Sequence, residues 1–200
     1  YGTPPKKIKV VGMPIDPKFL LRDRKRERNE ARKVFTILMM GGGEGAGKME
    51  EIIEEVKDQK LKVKIIVICG RNKKLEIRLK KNLHRYHFPL RVYGFTDKVK
   101  ELMAESDVIV TKAGPGTIAE ALAMNLPIII TDWLPGQEEG NVEYVVKTGV
   151  GRVNKDPRRV VEILKEFQNE AVLKEIKTKI KQASRPHAAI DIAKLILSYA

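Results

Sequence analysis

The chain has little with which to cross-link, stack or span. Its 200 residues hold one cysteine, Cys69, so no internal disulfide can form and the composition fits a reducing compartment. Cys69 stands in the apolar run "KIIVICG" and reads as a buried small residue, not a reactive thiol. Aromatics make up only 6%, with a single Trp, and none is interleaved with basic residues as a nucleic-acid stacking platform needs. No apolar run is long enough to span a bilayer. The opening "YGTPPKKIKVVGMP" has neither an initiator Met nor a secretory h-region, which suggests a fragment or missing earlier residues. His84, His87 and His187 show no metal-ligand spacing with Cys or acidic partners. There is no G-x-S-x-G nucleophile elbow, and no two residues stand out as general acid and base.

What is present is ordinary in bulk and uneven in charge. Hydrophobic residues are 42% and charged residues 32%, which suits a single globular domain. The net charge is +13, and residues 1–33 carry eleven Lys/Arg against four Asp/Glu. The densest run, "RDRKRERNEARK" at 22–33, reads as a solvated helical face or as a surface drawn to anionic lipid headgroups. Nucleic acid gains little support beyond the charge itself.

Apolar runs alternate with helical patterns along the chain. Residues 8–15 read as a short strand ending at Pro14, and 19–33 as a helix. The core strands are "VFTILMM" (34–40), "KVKIIVICG" (62–70), "LRVYGF" (90–95), "DVIVTKAG" (107–114), "LPIIITD" (126–132) and "VGRVN" (150–154). They are continuous and partly β-branched, as strands covered on both faces are. Helices are predicted between them, one closed by Gly149, and three more form a tail. Strict β-α alternation predicts an α/β fold with a Rossmann-like parallel sheet and helices on both faces. Ligands then bind at the carboxyl ends of the strands.

Three loops at that edge carry candidate chemistry. "GGGEGAG", 41–47, is rich enough in glycine to turn N–H groups toward a phosphate, and a helix N-terminus follows. It falls short of a Walker A box, because Met49 stands where a Mg²⁺-ligating hydroxyl belongs. The dinucleotide pattern fits loosely through Gly41, Gly43 and Ala46, but Gly70, Arg71 and Asn72 occupy the place of the ribose-binding acid. "TKAGPGTIAEAL", 111–122, is a second glycine turn feeding a helix, with Gly114, Gly116 and Thr117 able to hold an anion. Glu120 follows one helical turn later, in reach of two ribose hydroxyls. "TDWLPGQEEGNVEY", 131–144, gathers Asp132, Gln137, Glu138, Glu139 and Asn141, residue types suited to sugar hydroxyls, with Trp133 most simply read as packing. Two phosphate-friendly turns on one sheet suggest a nucleotide diphosphate held without a Walker lysine. Structural tight turns and a solvated polar loop are the alternatives.

Those loops, with "VICGRNKKL" and "VYGFTDKVKELMAESDVIV", resemble the C-terminal domain of the monogalactosyldiacylglycerol synthases and, similarly, of processive diacylglycerol glucosyltransferases. Both belong to glycosyltransferase family 28, with the N-acetylglucosaminyltransferase of peptidoglycan synthesis. The resemblance runs from about Lys9 to Val153, with three loops matching in order and spacing. It implies the C-terminal half of a GT-B fold: residues 1–17 an interdomain linker, 18–200 the UDP-sugar-binding domain, the acceptor domain missing. It implies that Gly43, Glu44, Gly45, Gly114, Pro115, Gly116 and Thr117 face the pyrophosphate, with Lys112 a counter-charge. Glu120 would hold the ribose, Gly94 and Phe95 the uracil, and Gln137, Glu138 and Asn141 the sugar. Asn72 would lie near the cleft. The implied activity is transfer of galactose or glucose from a UDP-sugar to diacylglycerol, with no metal or cofactor. The catalytic base would sit on the missing domain, leaving this chain with weak UDP-sugar binding and little or no transfer. The implied location is cytoplasmic and peripheral, on the inner face of the cell membrane. A UDP-GlcNAc transferase, a UDP-sugar epimerase and a non-enzymatic nucleotide or nucleic-acid module are the alternatives.

Overall fold

The computed structural model describes residues 2–20, 34–42 and 48–199. Six parallel strands form one sheet: β1 (Thr36–Met40), β2 (Lys64–Ile68), β3 (Leu90–Tyr93), β4 (Val108–Lys112), β5 (Ile128–Asp132) and β6 (Gly151–Val153). Their order is β3-β2-β1-β4-β5-β6. The inner strands are apolar along their length because both faces are covered. Ile37, Leu38, Met39, Ile65, Ile66, Val67, Ile109 and Ile129 have essentially no exposed surface. Registers pair Leu38 with Ile66 on one side and with Ile109 on the other, which fixes β1 at the centre.

Helices α1 (Met49–Asp58), α2 (Lys73–Lys81), α3 (Val99–Glu105), α4 (Pro115–Ala123) and α5 (Glu139–Thr148) link successive strands. From β1 the chain steps outward to β3, then crosses back to β4 and steps outward to β6. Right-handed crossovers therefore put α1 and α2 on one face and α4 and α5 on the other. The switch in direction falls between β1 and β4, the place where open sheets of this kind take ligands at the carboxyl ends of their strands.

The expected helical tail is built as α6 (Pro157–Phe167), α7 (Glu170–Ala183) and α8 (Ala188–Leu197). It is no appendage. Asp156 caps α6 by accepting from the Arg158 N–H at 2.9 Å, Pro157 starts its first turn, and Val160, Val161, Leu164 and Phe167 are fully buried. Helix α6 packs on α1, while α7 packs on α4, α5 and α6. Gly149 closes α5 in the left-handed conformation at φ +67°, as its position predicts.

Residues 8–15 form no strand, contrary to the sequence reading. The segment has strand-like residues but no sheet edge to pair with. Val10 is 92% exposed, and Gly12 turns the chain at φ +103°. A 3-10 turn at Pro17–Leu20 then buries Phe19 against the core. The helix expected over 19–33, with its basic run, lies outside the described residues beyond Leu20.

Candidate functional site

The candidate site lies at the switch point, where Gly42 follows β1 and the Gly114–Thr117 turn follows β4. Gly42 ends the first described part of the glycine turn at φ +73°, a conformation open to glycine at little cost. A Cβ there would stand 3.1 Å from Cε of Lys112, and one at Gly114 would stand 3.8 Å from the same atom. The Lys112 stem, leaving the end of β4, thus runs between Gly42 and Gly114. The remaining predicted members of the first turn, Gly43, Glu44 and Gly45, lie outside the described residues.

Both flanking helices begin without a side-chain cap. Lys48 precedes α1 and Gly114 precedes α4, and neither donates a capping acceptor. Pro115 opens α4 with no N–H to satisfy, so the first-turn donors at this end belong to Gly116 and Thr117. Uncapped N–H groups and the helix dipole favour an anion at that place.

The loop after β5 is tied to this site by two direct contacts. The Lys112 ammonium donates to Glu138 Oε1 at 2.7 Å, and Glu138 Oε2 accepts from the Leu134 N–H at 3.0 Å. Glu138 is only 4% exposed. Burial pushes its carboxyl up, but the Lys112 ammonium and the Leu134 N–H outweigh this and hold it below its usual range. The Asn141 amide donates to the Ala113 carbonyl at 2.8 Å, and the Ala113 N–H donates to the Asp132 carbonyl at 2.9 Å. Both carboxylate oxygens of Glu138 and the amide nitrogen of Asn141, residues expected to read a sugar, therefore have partners within the protein. Gln137 and Glu139 are exposed on the same loop. Trp133 packs on the core beneath Lys155, whose ammonium lies 3.6 Å from the ring centre and 3.4 Å from Asp132 Oδ1.

Glu120 lies one turn into α4. Its carboxyl is pushed up, mainly by burial; Lys18 opposes the shift and Asp16 adds to it. It forms no hydrogen bond or ion pair among the described residues. A half-buried carboxylate raised by burial is a candidate for a functional group.

Gly94 and Phe95 stand over β3, two strands from β1. Phe95 is 71% exposed, with the Arg71 guanidinium 5.7 Å from its ring centre. Beneath the turn lies a residue that the sequence reading missed. Glu76 is 8% exposed and approaches Gly94 so closely that a Cβ would meet its Oε2 at 2.7 Å. Lys80 and Lys73 donate to it at 2.8 and 2.9 Å, and these bonds hold its carboxyl below the usual range. The available signal was an acid beside the inward-facing Leu75 and Leu79, bracketed by lysines one turn away on either side. Asn72 caps α2 by accepting from the Leu75 N–H at 3.0 Å. Cys69 is fully buried as expected, and burial pushes its thiol up to about 11.

Among the described residues, no cluster of three or more His, Cys, Asp or Glu side chains is set to hold a metal, and no helix is long and apolar enough to cross a membrane.

The chain is similar in sequence and fold to known proteins. Monogalactosyldiacylglycerol synthase 3, chloroplastic, of Arabidopsis thaliana is 38% identical over 96% of this chain and 44% of its own length. The chain thus spans less than half of that relative. Among solved structures, the glycotransferase of kitacinnamycin matches with TM-score 0.71 at 19% identity, over 98% of this chain and 50% of that one. MurG of Acinetobacter baumannii matches with TM-score 0.66 at 20% identity, over 86% and 52%. At such identities the solved structures establish the fold alone, that of one half of a GT-B glycosyltransferase. The family described as "Glycosyltransferase family 28 C-terminal domain" matches residues 36–196, and the chain belongs to it.

Proposed function

We propose that the chain is the donor-binding half of a glycosyltransferase that moves a hexose from a UDP-sugar to diacylglycerol. One observation carries the reading: Gly42, just after β1, and Gly114, at the uncapped start of α4, both close on the Lys112 side chain at the switch point of a parallel sheet. That is a place for a diphosphate. Gly42 to Gly45 and Gly114 to Thr117 would offer it backbone N–H groups, and Lys112 a charge. Glu120 would accept from the ribose hydroxyls; that it forms no hydrogen bond among the described residues supports that role. Phe95 and Arg71 would flank the uracil, with Gly94 leaving room for Glu76 beneath the turn. Gln137, Glu138 and Asn141 would lie along the hexose. The diphosphate leaves with the charge that grows on it as the sugar is transferred, and fixed N–H dipoles stabilise that charge.

Residues 1–17 would link this half to an acceptor domain that supplies the catalytic base. The relatives' names support galactose as the sugar and diacylglycerol as the acceptor. Such an acceptor calls for a protein seated peripherally on a bilayer. The basic run at 22–33 suits the anionic face of a membrane, each charge worth roughly 1 kcal/mol near such a surface.

Calorimetry with UDP, UDP-galactose and UDP-glucose tests the proposal. Binding of UDP that is lost in Glu120→Ala supports it. A wild-type chain that ignores all three nucleotides contradicts it.

A further inference from the structure

Glu138 holds the Lys112 ammonium at the switch point, with its other oxygen on the Leu134 N–H. We propose that Glu138 acts as an internal stand-in for the diphosphate: it holds Lys112 in the free protein, and a bound phosphate displaces it. The inference rests on the donor-binding reading above and deepens it, because it makes Glu138 the residue that separates a nucleotide sugar from the nucleotide diphosphate left after transfer.

The geometry builds this step by step. Lys112 is confined between Gly42 and Gly114, with Cε 3.1 Å from where a Gly42 side chain would begin. Its stem therefore lies beside Gly114 at the positive end of α4, where a cation without a counter-ion is disfavoured. Glu138 supplies that counter-ion at 2.7 Å. A phosphate offers more charge than a carboxylate. It can also take the uncapped N–H groups of Gly116 and Thr117, whereas both oxygens of Glu138 are engaged by Lys112 and the Leu134 N–H. Exchange of one anion for the other on Lys112 is thus favourable.

Exchange has a consequence for Glu138. Without Lys112 it becomes a buried carboxylate with a single N–H donor, a costly state. Sugar hydroxyls supply the missing donors, and a bare nucleoside diphosphate does not. The penalty therefore falls on the diphosphate product and is relieved for the sugar donor. Specificity then comes from an unpaired charge raised against the wrong ligand.

Calorimetry on the full chain with UDP, UDP-galactose and uridine tests this in the wild type, Glu138→Gln, Lys112→Met and the double variant. Glutamine keeps an acceptor for the Leu134 N–H, and Glu138→Ala serves as a second variant should the glutamine form distort the loop. Both should bind UDP about fivefold or more tighter, in the range of ordinary linkage couplings. They should lose much of the preference for UDP-galactose over UDP and leave uridine binding unchanged. Lys112→Met should weaken UDP, and adding Glu138→Gln to it should change nothing further. UDP affinity that is unchanged or weaker in both folded Glu138 variants overturns the inference while the donor-binding reading stands. Absence of UDP binding in the wild type overturns both.

Discussion

Asn141, proposed to lie along the hexose, also ties two loops together through its side-chain amide. Asn141→Ala isolates that role. The lost bond runs from its amide to the Ala113 carbonyl at 2.8 Å, and Ala113 is fully buried. The carbonyl is then left in the interior without its partner, which costs about 1–3 kcal/mol, more than the net worth of an ordinary hydrogen bond. For a chain of this length each kcal/mol moves the melting temperature by about 2–4 °C, so a loss of about 2 kcal/mol lowers it by about 4–8 °C. Asn141→Asp sets one acceptor against another and should cost at least as much. Ala113 leads directly into the Gly114–Thr117 turn, so UDP affinity should fall along with stability. Thermal melts by circular dichroism and calorimetry with UDP read both effects. A variant that melts within about 1 °C of the wild type, well inside the expected shift, with unaltered UDP affinity, refutes that role.

Three further outcomes follow from the charges and close contacts of the site. Burial raises the Glu120 carboxyl above its ordinary value of 4.5, so its stabilising contribution is complete below that pH and lost as pH rises through the folded value. Glu120→Gln should therefore raise the melting temperature at neutral pH and weaken UDP binding; equal melting at neutral pH would contradict this. Glu138 titrates below 4.5, so its pairing stabilises the fold above that pH and is lost as pH falls through the folded value. Melts at about pH 6 and at about pH 3.5 should show the wild type losing more than Glu138→Gln, and parallel losses would refute the pair's contribution. Gly94→Ala drives a methyl into the Glu76 carboxylate that Lys73 and Lys80 pin in place. It should weaken uridine binding but spare pyrophosphate, and adding Glu76→Ala should restore part of the loss; no recovery would separate Glu76 from the base-binding turn.

The sheet was legible because its strands are covered on both faces. Residues 37–40 and 128–130 are wholly apolar, so pattern alone found these strands; their order in the sheet was not predicted. The same rule misled at residues 8–15, where apolar residues occur but no strand lies beside them; pattern reports a wish for burial, and pairing needs a partner. The glycine turn after β4 was legible because its role is in the backbone. The partnership of Lys112 with Glu138 was not, since 26 residues separate them and only the β4-β5 register brings them together. Glu76 was hidden for a similar reason: its contact with Gly94 depends on how α2 sits over β3. Residue types that suit sugar hydroxyls suit carbonyls and ammonium groups equally well, so Glu138 and Asn141 could not be assigned to ligand or protein by type alone.

The central claim is that a uridine diphosphate lies across the switch point, and a crystal structure of the chain with UDP tests it most directly. The account predicts phosphate oxygens within hydrogen-bond distance of the Gly116 and Thr117 N–H groups, Lys112 turned from Glu138 to the phosphate, and Glu120 on the ribose. UDP bound away from this site, or bound there with the Lys112–Glu138 pair intact and Glu120 untouched, would contradict it.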